Sequence, residues 1–288
     1  MDSLKVNVLI KALEMGSMTA AAEDLGYTTS GVSQMITSIE NELGFPVVTR
    51  GRGGVSLTKA GEKVYPAILS YSHADSVIRQ IASEVNGLVN GQVIIGTFSS
   101  IAANWLPSII RNFKQDYPGI EVSLVEGIHD EIDRWMDESR MDFCMYSYSE
   151  NPDMDWIPLA DDPMYAVVYP EHPFASREAI SPEELNGQPF IMPGRGNDRD
   201  VVDLLNRFGI HPDTRYSTLE NYSALSMIEA GLGISVMNEL ITEGRLNHVV
   251  LVPFDPPQSI TMGIAIPKKN ELSPSAHKFI EYIKRTLQ

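Results

Sequence analysis

The polar side chains between positions 28 and 37 have the types and spacing needed to hydrogen-bond the edges of DNA bases. An apolar stripe at steps of four, three and four residues predicts a helix buried along one face: Val32, Ile36, Ile39 and Leu43. The opposite face carries small or flexible hydrogen-bonding groups: Thr29, Ser30, Ser33, Gln34 and Thr37. A helix of this kind can present such groups to the major groove. The alternative is an ordinary helix with a solvated outer face.

A tight turn precedes this helix and would orient it. The segment Met18–Leu25 predicts a shorter helix, which ends at Gly26 because glycine accepts a left-handed backbone. Thr28 can then cap the next helix by accepting an orphan backbone N–H, and it joins the candidate DNA-binding residues. The pattern therefore predicts a helix–turn–helix.

The β-branched, glycine-rich segment 45–57 predicts a small hairpin, or wing, after the helix–turn–helix. Arg50 and Arg52 in this segment could reach phosphates or the minor groove, and two solvated loop arginines are the alternative. Residues 29–42 contain no Lys or Arg. We therefore expect DNA affinity to depend on dimerisation, backbone amides and the wing arginines, with a shallow salt dependence.

A second set of polar residues follows predicted β-strands, where α/β proteins bind small molecules. Thr97, Ser99 and Ser100 come after a strand at 93–96 and before a helix. Their hydroxyls and the free helix N–H groups could bind a carboxylate or another anion. Simple helix capping is the alternative for these residues.

Four further positions could complete an effector site. Tyr146 and Ser147 adjoin the end of a third predicted strand, at 141–146, and could line the same cleft, although core packing is the alternative. Arg195 lies between two glycines and could clamp an anionic effector, with a surface turn as the favoured alternative. Asn221, at the start of a later helix, is a weaker candidate. An anionic effector is the expectation from this set.

Residues that would support catalysis or metal binding are scattered. The six histidines show no paired metal-ligand spacing, and the chain has no GxSxG or HExxH motif. The single cysteine, Cys144, lies in an apolar strand and is interpreted as a buried thiol rather than a nucleophile or redox sensor. We expect no enzyme activity, no metal and no cofactor.

The order of elements after position 92 indicates an α/β module, because strands alternate with helices such as the one predicted at 101–117. Before it, a long helix is predicted from 58 to 86, and the break at 87–91 marks a domain boundary. An apolar seam on the long helix needs a partner helix: Val64, Ile68, Tyr71, Ala74, Ile78, Ile81 and Val85.

Length and charge limit the classes of function. The 288 residues suffice for two or three domains, and the net charge of −16 argues against nonspecific nucleic-acid binding by the whole molecule. Residues 1–58 hold four basic and six acidic residues, a net charge of −2. No run of about eighteen apolar residues occurs, so we expect no membrane span. One cysteine fits a reducing compartment and predicts a cytoplasmic protein.

The N-terminal sequence resembles the winged helix–turn–helix of LysR-type transcriptional regulators, and the resemblance continues more loosely to the C-terminus. The matching positions are Gly16, Ser17, Ala20, Ala21, Ala22, Leu25, Val32, Ser33, Ile36, Ile39, Glu40, Glu42, Leu43, Gly44, Arg50, Leu57, Thr58, Lys59, Ala60 and Gly61. The resemblance implies a winged helix–turn–helix domain at 1–58 and a linker helix with hinge at 59–91, which pairs antiparallel across a dimer.

The same resemblance implies that the rest of the chain is a two-lobed α/β effector module related to periplasmic binding proteins. Lobe I would comprise 92–162 and 267–288, and lobe II would comprise 163–266. The chain would pass to lobe II near 161–163 and return near 266–268.

These observations together predict a DNA-binding regulator that responds to a small-molecule effector. Its expected partners are double-stranded operator or promoter DNA, an effector of unknown identity, RNA polymerase, and further copies of itself in a homodimer or homotetramer. The alternative is a cytoplasmic small-molecule sensor that no longer reads DNA, which the acidic balance of residues 1–58 would favour.

Overall fold

The N-terminal unit consists of three helices and a two-stranded hairpin. A computed structural model describes residues 1–51, 53–244, 248–268 and 272–287. The elements of this unit are α1 (Ser3–Glu14), α2 (Met18–Leu25), α3 (Thr29–Leu43), β1 (Val48–Gly51) and β2 (Gly54–Leu57). Its core includes the predicted apolar stripe of α3, since Val32, Ile36 and Ile39 are fully buried. The predicted helix–turn–helix and hairpin are confirmed.

The turn between α2 and α3 has the geometry that its sequence predicts. Gly26 ends α2 with a φ of 71°, in the left-handed region that favours glycine. The Thr28 hydroxyl accepts a hydrogen bond from the Gly31 backbone N–H at 3.1 Å and so caps α3. This bond fixes the angle at which α3 leaves the turn.

Helix α4 (Lys59–Val85) follows the hairpin and has 27 residues, which corresponds to a length of about 40 Å. The apolar seam predicted on this helix is buried in the first half of the helix and exposed in the second half. Ile68 is buried against the N-terminal unit, whereas Ile78 and Val85 are 66% and 81% exposed. The second half of α4 therefore presents apolar side chains that the described part of the chain leaves exposed.

The C-terminal module begins with strands and helices in alternation. Its elements are β3 (Gly91–Thr97), α5 (Ser99–Asn104), α6 (Leu106–Asp116), β4 (Ile120–Glu126), α7 (His129–Asp137), β5 (Phe143–Ser147), β6 (Met154–Val168), β7 (Pro189–Met192), α8 (Arg199–Arg207), β8 (Asp213–Ser217), α9 (Asn221–Glu229), β9 (Ser235–Asn238), α10 (Glu239–Thr242), β10 (Val250–Pro267) and α11 (Pro274–Leu287). The single helix predicted at 101–117 is two helices, because Pro107 lies at the start of α6, where its missing N–H is tolerated.

One six-stranded sheet runs through the module in the order β4-β3-β5-β10-β6-β9. Strands β3, β4 and β5 are parallel, as predicted, and β10 pairs antiparallel with β5 and β6. Strands β7 and β8 form a separate parallel pair. No helix of the described residues is long and apolar enough to cross a membrane.

The module has two lobes, which the long strands β6 and β10 connect. Lobe I is built around a core that contains Val93, Phe113 and Phe279, and lobe II around a core that contains Val168, Phe190 and Val236. Residues 161–163 of β6 pair with residues 259–261 of β10, so both strands pass between the lobes at this level.

The return crossing therefore differs from the sequence expectation of 266–268. Met262 and Ile264 are fully buried in the core of lobe I, so β10 has re-entered that lobe before residue 266. The reason is the register, because an antiparallel partner must recross opposite the outward crossing. The lobe II range of 163–266 is too long by about five residues at its C-terminal end for the same reason.

Candidate DNA-binding surface and effector cleft

The solvent side of α3 carries the predicted base-reading residues. Thr29, Ser30, Gln34 and Thr37 are exposed, and Ser33 is half-buried. An open groove runs along this face, lined by Ser33, Gln34, Thr37, Ser38, Asn41 and Glu42. Thr28 is committed to the cap of α3. The structure thus brings the predicted polar set onto one surface, and its contacts with DNA remain a prediction.

Arg50 lies on this face of α3 although it belongs to the hairpin. Its guanidinium donates to Ser33 Oγ at 2.7 Å and to Thr37 Oγ1 at 3.1 Å, and it pairs with Glu40 Oε2 at 3.2 Å. The side chain is 37% exposed, so it remains open to a further acceptor. Arg50 therefore gives α3 the positive charge that its own sequence lacks. Arg52 lies outside the described residues.

Glu40 joins the hairpin to α3 and was not among the residues predicted from the sequence. Its Oε1 accepts hydrogen bonds from the backbone N–H groups of Val47 at 2.8 Å and Val48 at 3.1 Å. Its Oε2 binds Arg50, and the side chain is only 14% exposed. The sequence shows only that Glu40 lies one helical turn after Thr37, and this spacing does not reveal its contact with the hairpin.

A cavity of about 330 Å³ lies between the two lobes. Lobe I contributes the residues that follow β3 and β4, and lobe II contributes the start of α8 and of α9. The lining consists of Phe98, Ser99, Ser100, Glu126, Gly127, Ile128, His129, Asp130, Glu131, Trp135, Gly194, Arg195, Asn197, Asp198, Arg199, Asp200, Leu219, Glu220, Asn221, Asn238 and Ile241.

Four of the seven predicted effector residues line this cavity: Ser99, Ser100, Arg195 and Asn221. The other three do not. Thr97 is fully buried with its hydroxyl turned to the Phe98 carbonyl, at 3.3 Å. Tyr146 and Ser147 are also buried, because all five residues of β5 are covered on both faces. These three residues support the lining from behind instead of forming it.

Arg199 ties lobe II to lobe I. Its guanidinium donates to Asp130 at 2.7 Å, to Asp133 at 3.1 Å and to Ser149 Oγ at 2.7 Å. The Tyr146 hydroxyl donates to the other oxygen of Asp133 at 3.1 Å and orients that carboxylate. Arg199 was not among the effector-binding residues predicted from the sequence, because a charged residue at the first position of a helix is usually an ordinary surface residue.

A second contact between the lobes is a short chain of polar groups. Ser147 Oγ donates to the Asp200 carboxyl, with both oxygens at 2.7 Å, and lies 3.0 Å from His129 Nε2. Burial, and next the Asp198 carboxylate, raise the pKa of Asp200 to about 7. Burial, and next the charge of Arg199, lower the pKa of His129 to about 4, so the imidazole is neutral at pH 7.

The charge of the lining does not match the anionic effector expected from the sequence. Six carboxyl groups face two guanidinium groups, those of Arg195 and Arg199. Arg195 pairs with Glu131 at 3.4 Å, and Arg199 pairs with Asp130 and Asp133. Both cations are thus neutralised by lobe I. The six carboxyl groups are those of Glu126, Asp130, Glu131, Asp198, Asp200 and Glu220.

Cys144 is fully buried, and burial raises the pKa of its thiol, so the interpretation as a buried thiol is confirmed. Its Sγ donates to the Ala265 carbonyl at 3.7 Å. Within the described residues, no group of three or more His, Cys, Asp or Glu side chains could hold a metal ion.

Replacing Arg199 with methionine is expected to destabilise the C-terminal module by about 2 kcal/mol, because Asp130 and Asp133 would lose their shared cation. Urea unfolding followed by the fluorescence of Trp105, Trp135 and Trp156 measures this loss. Arg215→Met is the matched control, since Arg215 is exposed and, among the residues that the structure describes, pairs with Asp213 alone. An Arg199 variant as stable as the Arg215 variant would show that the contacts of Arg199 with lobe I do not stabilise the module.

A winged helix–turn–helix joined through a long helix to a two-lobed ligand cleft defines a DNA-binding transcriptional regulator with a small-molecule-sensing domain. Two family models match the chain: the LysR substrate binding domain over residues 86–288, and the lysR-family bacterial regulatory helix-turn-helix protein over residues 5–62. The chain therefore belongs to the LysR family of transcriptional regulators.

Individual relatives agree with this assignment. The chain is 31% identical over 287 residues to the uncharacterized HTH-type transcriptional regulator YvbU of Bacillus subtilis, covering 99% of this chain and 98% of YvbU. The fold is similar to that of a full-length OxyR variant from Pseudomonas aeruginosa, with a TM-score of 0.75, 19% identity, and coverage of 100% and 97%. The regulatory domain of Synechocystis CcmR, solved in complex with 2-PG, matches with a TM-score of 0.64 and 25% identity, covering 69% of this chain and 98% of that domain.

Proposed function

We propose that the chain binds operator DNA through the α3 face, and that a small molecule in the interlobe cleft modulates this binding. The main support for this DNA-binding surface is the position of Arg50, which contacts Ser33 and Thr37 in the middle of an exposed polar face. A guanidinium there can donate to base or phosphate acceptors, while the flanking hydroxyls adapt to either role.

A dimer would present two such faces. The unpartnered apolar residues on the second half of α4 and just after it support pairing through this helix: Ile78, Ile81, Val85, Leu88 and Val89. An antiparallel helix pair related by a two-fold axis would direct the two α3 helices to two half-sites of a near-palindrome. We also propose a contact with RNA polymerase, without assigning it to particular residues.

The cleft supports the effector role because both lobes contribute to one cavity and are joined across it by Arg199 and Asp200. A ligand that touches both lobes binds one lobe arrangement better than another and so shifts their equilibrium. The complex of the CcmR regulatory domain with 2-PG supports a small-molecule role for such a module. We propose no catalytic step for this cleft.

A sensor that no longer reads DNA is the competing function, and one observation favours it. Several cations around α3 have partners in the chain: Arg50 pairs with Glu40, Lys11 pairs with Asp24, and the Lys5 ammonium donates to Ser38 Oγ. Strong nonspecific attraction to phosphates is therefore absent from the described part of this surface. The two functions differ in whether a specific DNA complex forms.

A gel shift with the DNA immediately upstream of the chain's own gene tests the DNA function. We expect a discrete, competitor-resistant complex whose affinity falls about 10- to 100-fold between about 50 and 200 mM salt, which corresponds to two to four neutralised phosphates per dimer. Ser33→Ala and Arg50→Ala are each expected to weaken the complex. The proposal fails if both variants bind normally, or if neither this fragment nor a random-site selection gives a complex.

A further inference from the structure

We propose that the cleft binds an organic cation, a small ligand with an amino or guanidino group, and that this group bridges carboxylates of both lobes. The inference rests on the proposed function in one respect, namely that the interlobe cavity is the effector site. It extends that function by naming the chemical class of the effector. The class is opposite in charge to the one that the hydroxyl and arginine pattern of the sequence predicted.

The cavity lining retains an excess of acidic side chains after its ion pairs are counted. Arg195 and Arg199 are neutralised by acids of lobe I, as described above. Four acids of the lining form no ion pair within residues 1–51, 53–244, 248–268 and 272–287: Glu126, Asp198, Asp200 and Glu220. An anionic ligand would add to this negative charge, whereas a cation would be attracted by it.

The hydrogen bonding of Asn221 gives information on the ligand that does not depend on charge. Asn221 Oδ1 is buried and accepts no hydrogen bond in the described structure. Buried carbonyl oxygens of side chains are nearly always satisfied, so this atom indicates a missing donor. Ammonium and guanidinium groups carry only donors, while a carboxylate carries only acceptors. An ammonium or guanidinium group could supply that donor, whereas a carboxylate could not, so Asn221 is compatible with the class of ligand that the unpaired acids favour.

Two of the helix N-termini that line the cavity, those of α7 and α8, are already occupied by acidic side chains, whereas that of the six-residue helix α5 has neither an acidic residue in its first turn nor a side-chain cap. The first turn of α7 already contains the carboxylates of Asp130 and Glu131. The first turn of α8 is capped by Asp198, whose Oδ1 accepts from the Val201 N–H at 3.2 Å. Acidic side chains thus occupy the positions at which these two helices would attract an anion.

The remaining walls indicate the rest of the ligand. Apolar side chains lie among the polar ones and can cover an aliphatic stem: Phe98, Trp135, Leu219 and Ile241. The volume of about 330 Å³ lies at the small end of the range for ligand cavities. A cationic head on a short aliphatic chain fits both features.

The position of the unpaired acids gives the cation a role in lobe closure. Glu126 ends β4 in lobe I, and Glu220 precedes α9 in lobe II. Without a ligand these like charges oppose closure of the cavity that they both line. A cation between them replaces repulsion by attraction, so it binds the closed arrangement better than the open one.

The test uses the full-length chain and three five-carbon probes that differ only in their end groups: cadaverine, 5-aminovalerate and glutarate. Isothermal titration calorimetry is expected to give the tightest binding for cadaverine and none for glutarate. The double variant Glu126→Gln with Glu220→Gln is expected to weaken cadaverine binding about 100-fold, or about tenfold for each charged contact removed.

The matched control replaces one exposed, unpaired acid of each lobe outside the cleft, as Glu121→Gln with Glu178→Gln, and is expected to leave affinity within about twofold. Binding of glutarate in preference to cadaverine overturns the proposal, as does the absence of cadaverine binding at millimolar concentration. Cadaverine binding that the cleft variant leaves unchanged also overturns it. A gel shift run in parallel separates these failures from a failure of the DNA function, which would appear as no complex with or without probe.

Discussion

Replacement of Glu40 by alanine is expected to weaken operator binding at least 100-fold and to destabilise the N-terminal unit by about 3 kcal/mol. The stability loss follows because Val47 N–H and Val48 N–H would lose their acceptor in a largely buried place. The binding loss follows because Arg50 would lose its carboxylate partner and its fixed position on α3, once in each half-site.

Fluorescence anisotropy with a labelled operator and urea unfolding followed by circular dichroism measure these two losses. Glu23→Ala is the matched control, because Glu23 is an exposed carboxylate on α2 whose side chain forms no hydrogen bond or ion pair in the described residues. Glu40→Gln keeps one acceptor oxygen and should fall between the two. Retention of operator affinity within about threefold in Glu40→Ala would show that Glu40 does not position Arg50 for DNA.

The helix–turn–helix could be predicted closely because its signals are local. Apolar periodicity gave α2 and the buried face of α3, and Gly26 and Thr28 marked the turn between them. Glu40 and Arg50 could be seen only as separate charges. Their pairing depends on the hairpin folding back across α3, and a spacing rule within one helix cannot express that contact.

The cleft was harder to predict because its contacts join distant parts of the chain. Strand ends suggested Thr97, Tyr146 and Ser147, but all three are buried: Thr97 lies between β4 and β5, Tyr146 packs within lobe I, and Ser147 contacts Asp200 of lobe II. Arg199 and Asp200 were missed, since charged residues in the first turn of a helix are common without any function. The net charge of the cavity depends on which charged side chains pair across the lobes, and these pairs cannot be identified from the sequence.

The position of the return crossing illustrates the same limit on a larger scale. The fold class was predicted correctly, but β10 continues five residues into lobe I before the expected boundary. Hydrophobic pattern alone could not place this boundary, because β10 is apolar on both sides of the crossing. The register with β6 decides it, and register is a property of the folded sheet.

Replacement of Asp200 by asparagine is expected to remove a pH dependence of about 3 kcal/mol between pH 5 and pH 8 from the stability of the C-terminal module. The folded pKa of Asp200 is about 7, against an ordinary value of 3.8, so the native state holds this proton more tightly than the unfolded state. Stability from this group is therefore fully present below about pH 4 and is lost as the pH rises to about 7.

The groups around Asp200 explain why its pKa is raised. Asp198 and Asp203 oppose its ionisation, while Ser147 and Arg199 favour it less strongly than burial disfavours it. Asparagine resembles the protonated carboxyl in shape and keeps an oxygen that can accept the hydrogen bond from Ser147 Oγ, so the variant should keep the contact between the lobes at every pH. The groups that shift the pKa of His129 to about 4, chiefly burial and next the charge of Arg199, do not include Asp200, so the contribution of His129 is expected to cancel in the difference.

Urea unfolding followed by tryptophan fluorescence, carried out at pH 5 and pH 8 on both proteins, measures the difference directly. At pH 8 the asparagine variant should be the more stable of the two, because it has no charge to bury beside Asp198. Asp203→Asn is the matched control, since Asp203 is exposed on the same helix and should leave most of the slope in place. Equal pH slopes in the natural protein and in Asp200→Asn would mean that Asp200 is ionised in the closed cleft. The cavity would then carry a further negative charge at neutral pH, and its attraction for a cation would be greater than the proposal requires.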